Sequence, residues 1–126
     1  MAIFNHLTLG TNNLDKAKAF YDSALGALGL KQLFAMDTVA GWGTTGPEFM
    51  VLKPINGEPA CVGNGLTIGF VAPNRAAVDA FHRNALAAGG KDEGAPGPRA
   101  FAENAYCAYV RDVDGNKIMA ACMKPE

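Results

Sequence analysis

The sequence lacks several features that mark common classes of protein. Its three cysteines form no CxxC pair, which argues against a disulfide framework or a thiolate zinc site. The formal net charge is only -1, so the basic surface that nucleic acid or an anionic membrane requires is missing. No apolar run approaches the roughly 18 residues that cross a bilayer, and the first residues do not resemble a signal peptide. We therefore expect a cytoplasmic protein that binds neither nucleic acid nor membrane.

An internal duplication organises the 126 residues. Residues 19–29 return 61 positions later as residues 80–90, and six of the eleven pairs are identical. Hydrophobic residues make up 49% of the chain, which is enough for one domain with a proper core. The two copies of a duplicated fold usually face each other across a cavity. The alignment places His6 of the first copy opposite Thr67 of the second.

Each copy is predicted to contain one helix and about four strands. Residues 3–10 alternate as a strand, and apolar residues at helical spacing follow from Leu14 to Leu28. Residues 32–53 supply three short strand-like pieces, and Asp114-Gly115 joins the last two strands as a hairpin. The glycine- and proline-rich residues 94–98 are predicted to form a loop. The class is α+β, and the predicted divisions are a first module at 1–54, a linker at 55–64 and a second module at 65–126.

Three stretches of the sequence resemble the vicinal oxygen chelate superfamily, which includes glyoxalase I, bleomycin-resistance proteins and extradiol dioxygenases. They are the stretch from His6 to Gly10, the helical stretch from Asn13 to Leu30, and the terminal hairpin from Tyr109 to Ile118. The resemblance covers essentially the whole chain. It implies a single domain of two tandem βαβββ modules, which form a curled mixed sheet around a central cavity. A homodimer is also implied.

The resemblance further implies a divalent metal, held by a His or Gln on each opening strand and a Glu on each closing strand. His6 stands at the first of these positions, but Thr67 stands at the second and Met119 replaces the glutamate of the terminal hairpin. The first closing strand, around Met50, has no donor, which leaves Glu48 at its edge as the nearest carboxylate. One strong ligand out of four does not hold a catalytic metal. We therefore expect no cofactor, with zinc, nickel or manganese bound by His6 and Glu48 as the alternative.

The leading hypothesis is a protein that has lost most of these metal ligands and binds a small apolar or aromatic molecule in its cavity. Tyr106 and Tyr109 have opposite strand parity, and we expect Tyr106 to point into the cavity. The expected ligand-binding residues are Trp42, Met50, Thr67, Arg99, Tyr106 and Met119. Two alternatives stay open: a metal-dependent lyase or isomerase of lactoylglutathione lyase type, and a metal-free enzyme with His6 as catalytic acid or base.

Overall fold

The computed structural model describes residues 3–126, so residues 1 and 2 of the predicted first module lie outside the described part. Two helices and eight strands follow one another in the same order in both halves. The first half contains β1 (Leu7–Gly10), α1 (Leu14–Gly26), β2 (Lys31–Ala35), β3 (Val39–Gly43) and β4 (Pro47–Leu52). The second half contains β5 (Ile68–Val71), α2 (Arg75–Ala87), β6 (Lys91–Pro98), β7 (Tyr106–Arg111) and β8 (Lys117–Cys122). The architecture is α+β with two βαβββ modules.

The helices begin where the sequence provides caps. Asn13 precedes α1, and its side chain accepts a hydrogen bond from the backbone nitrogen of Lys16 at 3.1 Å. Asn74 does the same for α2, with Ala77 as the donor at 2.8 Å. Both helices and both opening strands repeat at the 61-residue offset of the duplication. Neither helix has the length and hydropathy that crossing a membrane requires.

Each module has its own four-stranded mixed sheet. The strand order is β1-β4-β3-β2 in sheet one and β5-β8-β7-β6 in sheet two. In both sheets the opening strand pairs in parallel with the closing strand, and the other pairs are antiparallel. Thr8 lies beside Met50 in sheet one, as Gly69 lies beside Met119 in sheet two. β1 and β5 are therefore edge strands.

The two modules share one hydrophobic core. α1 packs on sheet one, α2 packs on sheet two, and the two helices contact each other. Phe20 and Phe81 are fully buried at equivalent positions of the two helices, and the rings of Phe49 and Phe70 meet at 5.1 Å across the modules. One face of each sheet points into this core, and we call the opposite face of each sheet its helix-free face. The residues of the helix-free faces do not belong to the core.

Two local predictions differ from the structure. Residues 3–6 precede β1 and are exposed, because only Leu7–Gly10 has a partner strand in β4. Residues 94–98 belong to β6, which follows β7 through two register shifts that accommodate the glycines and prolines. The two mixed sheets of the predicted βαβββ modules are not closed into a barrel, and a cavity lies between the modules. The modules meet through their helices and the core faces of their sheets, so each helix-free face remains open.

Candidate functional site

The helix-free face of sheet two carries a pocket of about 510 Å³, which we call the cationic pocket. Thr67 lies just before β5, Tyr109 and Met119 are cross-strand partners on β7 and β8, and Arg99 follows β6. Side chains from four consecutive segments of the module thus converge on one face. The residues that line the pocket are Thr67, Glu93, Gly94, Arg99, Tyr109, Lys117 and Met119.

The charges of this pocket do not cancel. Arg111 donates from Nε to Glu93 Oε1 at 2.7 Å, and this hydrogen bond lowers the pKa of the Glu93 carboxyl. Lys117 and Arg99 have no carboxylate within ion-pair distance in residues 3–126. Both cations instead lie over the ring of Tyr109, with Lys117 Nζ at 5.2 Å and Arg99 Cζ at 5.5 Å from the ring centroid. The pocket therefore holds two positive charges without an ion-pair partner beside an aromatic ring, although the charge of Lys117 also contributes to the lowered pKa of Glu93.

Local backbone geometry fixes the position of Arg99. Its Nη1 donates to the carbonyl oxygens of Gly97 at 2.9 Å and Pro98 at 3.2 Å, and its Nη2 donates to that of Ala95 at 2.9 Å. The guanidinium crosses β6 at Gly94, where a Cβ atom would lie 3.2 Å from both Arg99 Nη2 and the Tyr109 ring. A glycine at this position leaves room for the arginine and the tyrosine to pack side by side.

The helix-free face of sheet one is apolar at its centre. Met50 lies between Thr8 on β1 and Gly41 on β3 and is half-buried. The ring of Phe34 covers Gly41 so closely that a Cβ atom there would lie 2.3 Å from the ring. Met50 is thus part of an apolar surface, as expected, but it lies on a different sheet from the cationic pocket.

The residues at the expected metal positions do not form a donor set within the chain. His6 is exposed, and its Nδ1 hydrogen-bonds the neighbouring Asn5 Oδ1 at 2.7 Å. Glu48 Oε1 accepts hydrogen bonds from the backbone nitrogen and hydroxyl of Thr44 at 3.1 and 3.0 Å. No three His, Cys, Asp or Glu side chains come together anywhere in the described residues. The methionines Met50 and Met119 stand where the resemblance would place carboxylates, so the side chains present do not fit the divalent metal.

Two of the expected ligand-binding residues face the core instead. Tyr106 packs against the core, and its hydroxyl donates to Asp79 on α2 at 2.7 Å, a contact that raises the Tyr106 pKa. Tyr106 was expected to point into the cavity, but Tyr109 and not Tyr106 lines the cationic pocket. Trp42 is fully buried, and its Nε1 donates to Asp22 Oδ1 at 2.9 Å. It is a core residue that does not line the cationic pocket.

A second and larger cavity, of about 650 Å³, lies between the modules, and we call it the intermodule groove. Leu7 of β1 and Ile68, Phe70 and Val71 of β5 form part of its walls, together with the buried Trp42. The side chains of Ile3, Phe4 and Val71 along it are 87%, 66% and 85% exposed. The groove thus combines two sheet edges with unusually exposed apolar side chains.

The structure therefore brings together Thr67, Arg99 and Met119 of the expected residues, and adds Tyr109 and Lys117. The sequence contained a signal for Lys117, because Lys117 and Met119 have the same strand parity, and Tyr109 is the cross-strand partner of Met119. His6, Met50, Trp42 and Tyr106 lie elsewhere in the chain.

Comparison with known proteins agrees with this architecture. A sequence profile of the Glyoxalase/Bleomycin resistance protein/Dioxygenase superfamily matches residues 3–120. A glyoxalase/bleomycin resistance protein from Albidiferax ferrireducens is 40% identical, with 98% of this chain and 100% of that chain covered and a TM-score of 0.89. No curated protein sequence matches the chain.

Two more distant solved structures share the fold. A glyoxalase-related enzyme from Fulvimarina pelagi is 18% identical, with 97% and 88% of the two chains covered and a TM-score of 0.76. A lactoylglutathione lyase from Agrobacterium tumefaciens is 23% identical, with 96% and 92% covered and a TM-score of 0.67. At this level of identity the likeness concerns the fold.

Proposed function

The chain belongs to the Glyoxalase/Bleomycin resistance protein/Dioxygenase superfamily, and from that premise we propose that it binds a small apolar or aromatic molecule without a metal. The helix-free faces of the sheets, which meet across a homodimer, form the binding site. The bound molecule is sequestered, in the manner of the bleomycin-resistance branch of the family.

The observation that carries this proposal is the chemistry at the positions where the family holds its metal. Met50 and Met119 occupy the closing-strand positions, and Thr67 occupies the second opening-strand position. Thioethers and a lone hydroxyl are poor ligands for zinc, nickel or manganese, whereas methionine adapts well to apolar and aromatic surfaces. Met119 also lies directly beside Tyr109, which supplies an aromatic surface for a flat ligand.

The edge strands support a second copy of the chain as partner. Natural proteins protect free strand edges with charged residues or prolines, and β6 contains both. β1 reads Leu-Thr-Leu-Gly and β5 reads Ile-Gly-Phe-Val, so neither edge is protected. Both strands border the intermodule groove, whose exposed Ile3, Phe4 and Val71 a second copy would bury. A two-fold axis at this groove would place β1 of each copy beside β5 of the other.

This pairing also completes the binding site. It joins the helix-free face of sheet one in one copy to that of sheet two in its partner. Met50 and His6 of one copy would then border the same chamber as Thr67, Tyr109 and Met119 of the other copy. Within a single chain these two faces remain apart. Binding therefore depends on dimerisation, and the site occurs twice in each dimer.

Calorimetric titration tests the proposal. The purified protein is titrated with zinc, nickel and manganese, and separately with 2-naphthol, 2-naphthamide and 2-naphthoate. We expect at least one naphthalene compound to bind with one molecule per chain, and no stoichiometric binding of the metals. Tight stoichiometric metal binding that disappears in His6→Ala would overturn the proposal.

The geometry does not favour either enzymatic alternative. A histidine that acts as acid or base requires a partner that orients its ring. The His6 ring is hydrogen-bonded only to its exposed neighbour Asn5 in the described structure. Glu48, the other candidate donor for a lyase, is engaged by the Thr44 turn.

A further inference from the structure

We propose that the ligand carries an anionic group, a carboxylate or a phosphate, and that Lys117 and Arg99 bind this group in the cationic pocket. The inference rests on the proposed function, because it assigns a chemical class to the molecule that occupies the same site. It assigns Lys117 a role that sequence reasoning did not identify.

Lys117 is available for an external anion. Its side chain has no hydrogen bond or ion pair with any residue from 3 to 126. The one carboxylate in the pocket, that of Glu93, is already engaged by the guanidinium of Arg111 at 2.7 Å. The charge of Lys117 also lowers the pKa of Glu93, but Lys117 Nζ makes no ion pair with that carboxylate. A lysine without an ion-pair partner in a concave site can attract an external anion.

The guanidinium of Arg99 is held in place and still has N–H groups free to bind an anion. Three carbonyl oxygens of its own loop accept hydrogen bonds from the guanidinium, which fixes its orientation without neutralising its charge. A guanidinium has five N–H groups, so Nε–H and one Nη2–H have no partner among the described residues. Because the group is already ordered, an anion that binds it loses little free energy to side-chain ordering.

The two cations share one aromatic ring, and this arrangement favours an anion that also has an apolar body. Lys117 and Arg99 both lie within 5.5 Å of the Tyr109 ring centroid. Two positive charges beside one ring raise the electrostatic potential of the pocket, and a bound anion lowers the free energy of both. The Tyr109 ring and the Met119 side chain are cross-strand partners that provide the adjoining apolar surface. The thiol of buried Cys107 is not a competing anion, because burial raises its pKa.

A matched series of probes tests the charge requirement. The dimeric protein is titrated calorimetrically with 2-naphthoate, 2-naphthyl phosphate and neutral 2-naphthamide. We expect both anions, or one of them, to bind about tenfold more tightly than the amide, and the stronger of the two identifies the group as carboxylate or phosphate. Lys117→Met should abolish this preference while affinity for the amide stays within about twofold.

Two further variants complete the design. Lys16→Met is the control, because Lys16 is an exposed lysine on α1 outside the cationic pocket, and this variant should retain the full preference. Lys117→Gln is a second variant without the positive charge, used in case Lys117→Met does not fold, and circular dichroism checks the fold of both. If all three probes bind equally, or if both Lys117 variants keep the preference, the anion inference is wrong although the proposed function stands. If none of the three probes binds, the proposed function is wrong, and the anion inference is wrong as well.

Discussion

A single buried hydroxyl connects the two modules, and its removal gives the sharpest test of how they are held together. Tyr21 on α1 is fully buried and donates to Asp112 Oδ2, in the turn between β7 and β8, at 2.6 Å. The carboxylate of Asp112 is only 4% exposed and also accepts from Asp114 N at 2.9 Å and from Asn116 N and Nδ2 at 2.9 and 3.0 Å. Four donors thus replace the water that this charge has lost.

Tyr21→Phe removes one of these four donors and keeps the ring. A hydrogen bond to a charged group contributes about 1.5–3 kcal/mol, and the three remaining donors still solvate the carboxylate. We therefore expect the free energy of unfolding to fall by about 2 kcal/mol, a large share of the 5–15 kcal/mol of a typical domain. Urea denaturation followed by circular dichroism at pH 7 measures this change, with the slope against urea unaltered.

The natural control is Tyr109→Phe, because the Tyr109 hydroxyl has no hydrogen-bond partner in the described residues. This variant should change the free energy of unfolding by less than about 0.5 kcal/mol. A loss in Tyr21→Phe no larger than that of the control would refute the view that the Tyr21–Asp112 contact stabilises the module interface.

The same contact predicts an alkaline pH dependence. Burial, followed by the nearby Asp112 charge, raises the pKa of Tyr21 well above its ordinary value of 10.0. Above about pH 10 the unfolded tyrosine therefore loses its proton while the folded one retains it, so stability falls as the pH rises. The stability advantage of the native protein over Tyr21→Phe should be constant from pH 7 to about pH 9.5 and shrink above pH 10. An advantage that persists unchanged at pH 11 would contradict this reasoning.

Three further predictions concern packing, assembly and the site. Gly90→Ala should lower the free energy of unfolding by more than about 2 kcal/mol in urea melts, because a Cβ atom there would lie within 2.9 Å of a core ring and two backbone oxygens. Gly26→Ala at the end of α1 meets nothing within 4 Å and should instead be stabilising by up to about 1 kcal/mol; a loss would contradict the packing described. Val71→Lys should be a folded monomer in sedimentation equilibrium, because a lysine on β5 opposes pairing of that edge strand. The control Ile55→Lys, in the exposed linker between the modules, should remain dimeric. A dimeric Val71→Lys would exclude pairing through β5. Met119→Glu should weaken 2-naphthoate binding about tenfold in calorimetry, and unchanged affinity would place the ligand elsewhere.

Much of the fold follows from local sequence signals. The asparagine caps, the helical spacing of apolar residues and the 61-residue repeat predict both helices at their observed positions, and Asp114-Gly115 predicts the hairpin. These features depend on neighbours within a few residues, which is why sequence reasoning captures them. Local signals did not predict the strand at residues 94–98, because this strand forms only through its pairing with β7.

The orientation of the site residues depends on contacts between distant segments. Strand parity shows that Tyr106 and Tyr109 face opposite ways, but not which one faces the core. The partner that decides this is Asp79, 27 residues earlier on α2. Trp42, which was expected to bind the ligand, likewise is a core residue because Asp22 and the Tyr21 ring lie against it. The sequence likewise did not predict that the two modules contact each other through α1 and α2.

The duplication links the proposed absence of a metal to the positive charge. Met50 and Met119 occupy equivalent places beside β1 and β5, so Glu48 and Lys117, two positions earlier, correspond in sequence, although Glu48 lies at a register shift between β3 and β4. The first module thus keeps a carboxylate where the second has an ammonium group. A cation at this place repels a divalent metal and attracts an anion, so one residue accounts for both proposals. Lys117→Glu would restore the symmetry of charge. It should reverse the preference, so that 2-naphthamide binds more tightly than 2-naphthoate, whereas Lys117→Met only removes the preference, because the glutamate repels the anion. Calorimetry that ranks the two variants in the opposite order would show that Lys117 does not act through its charge.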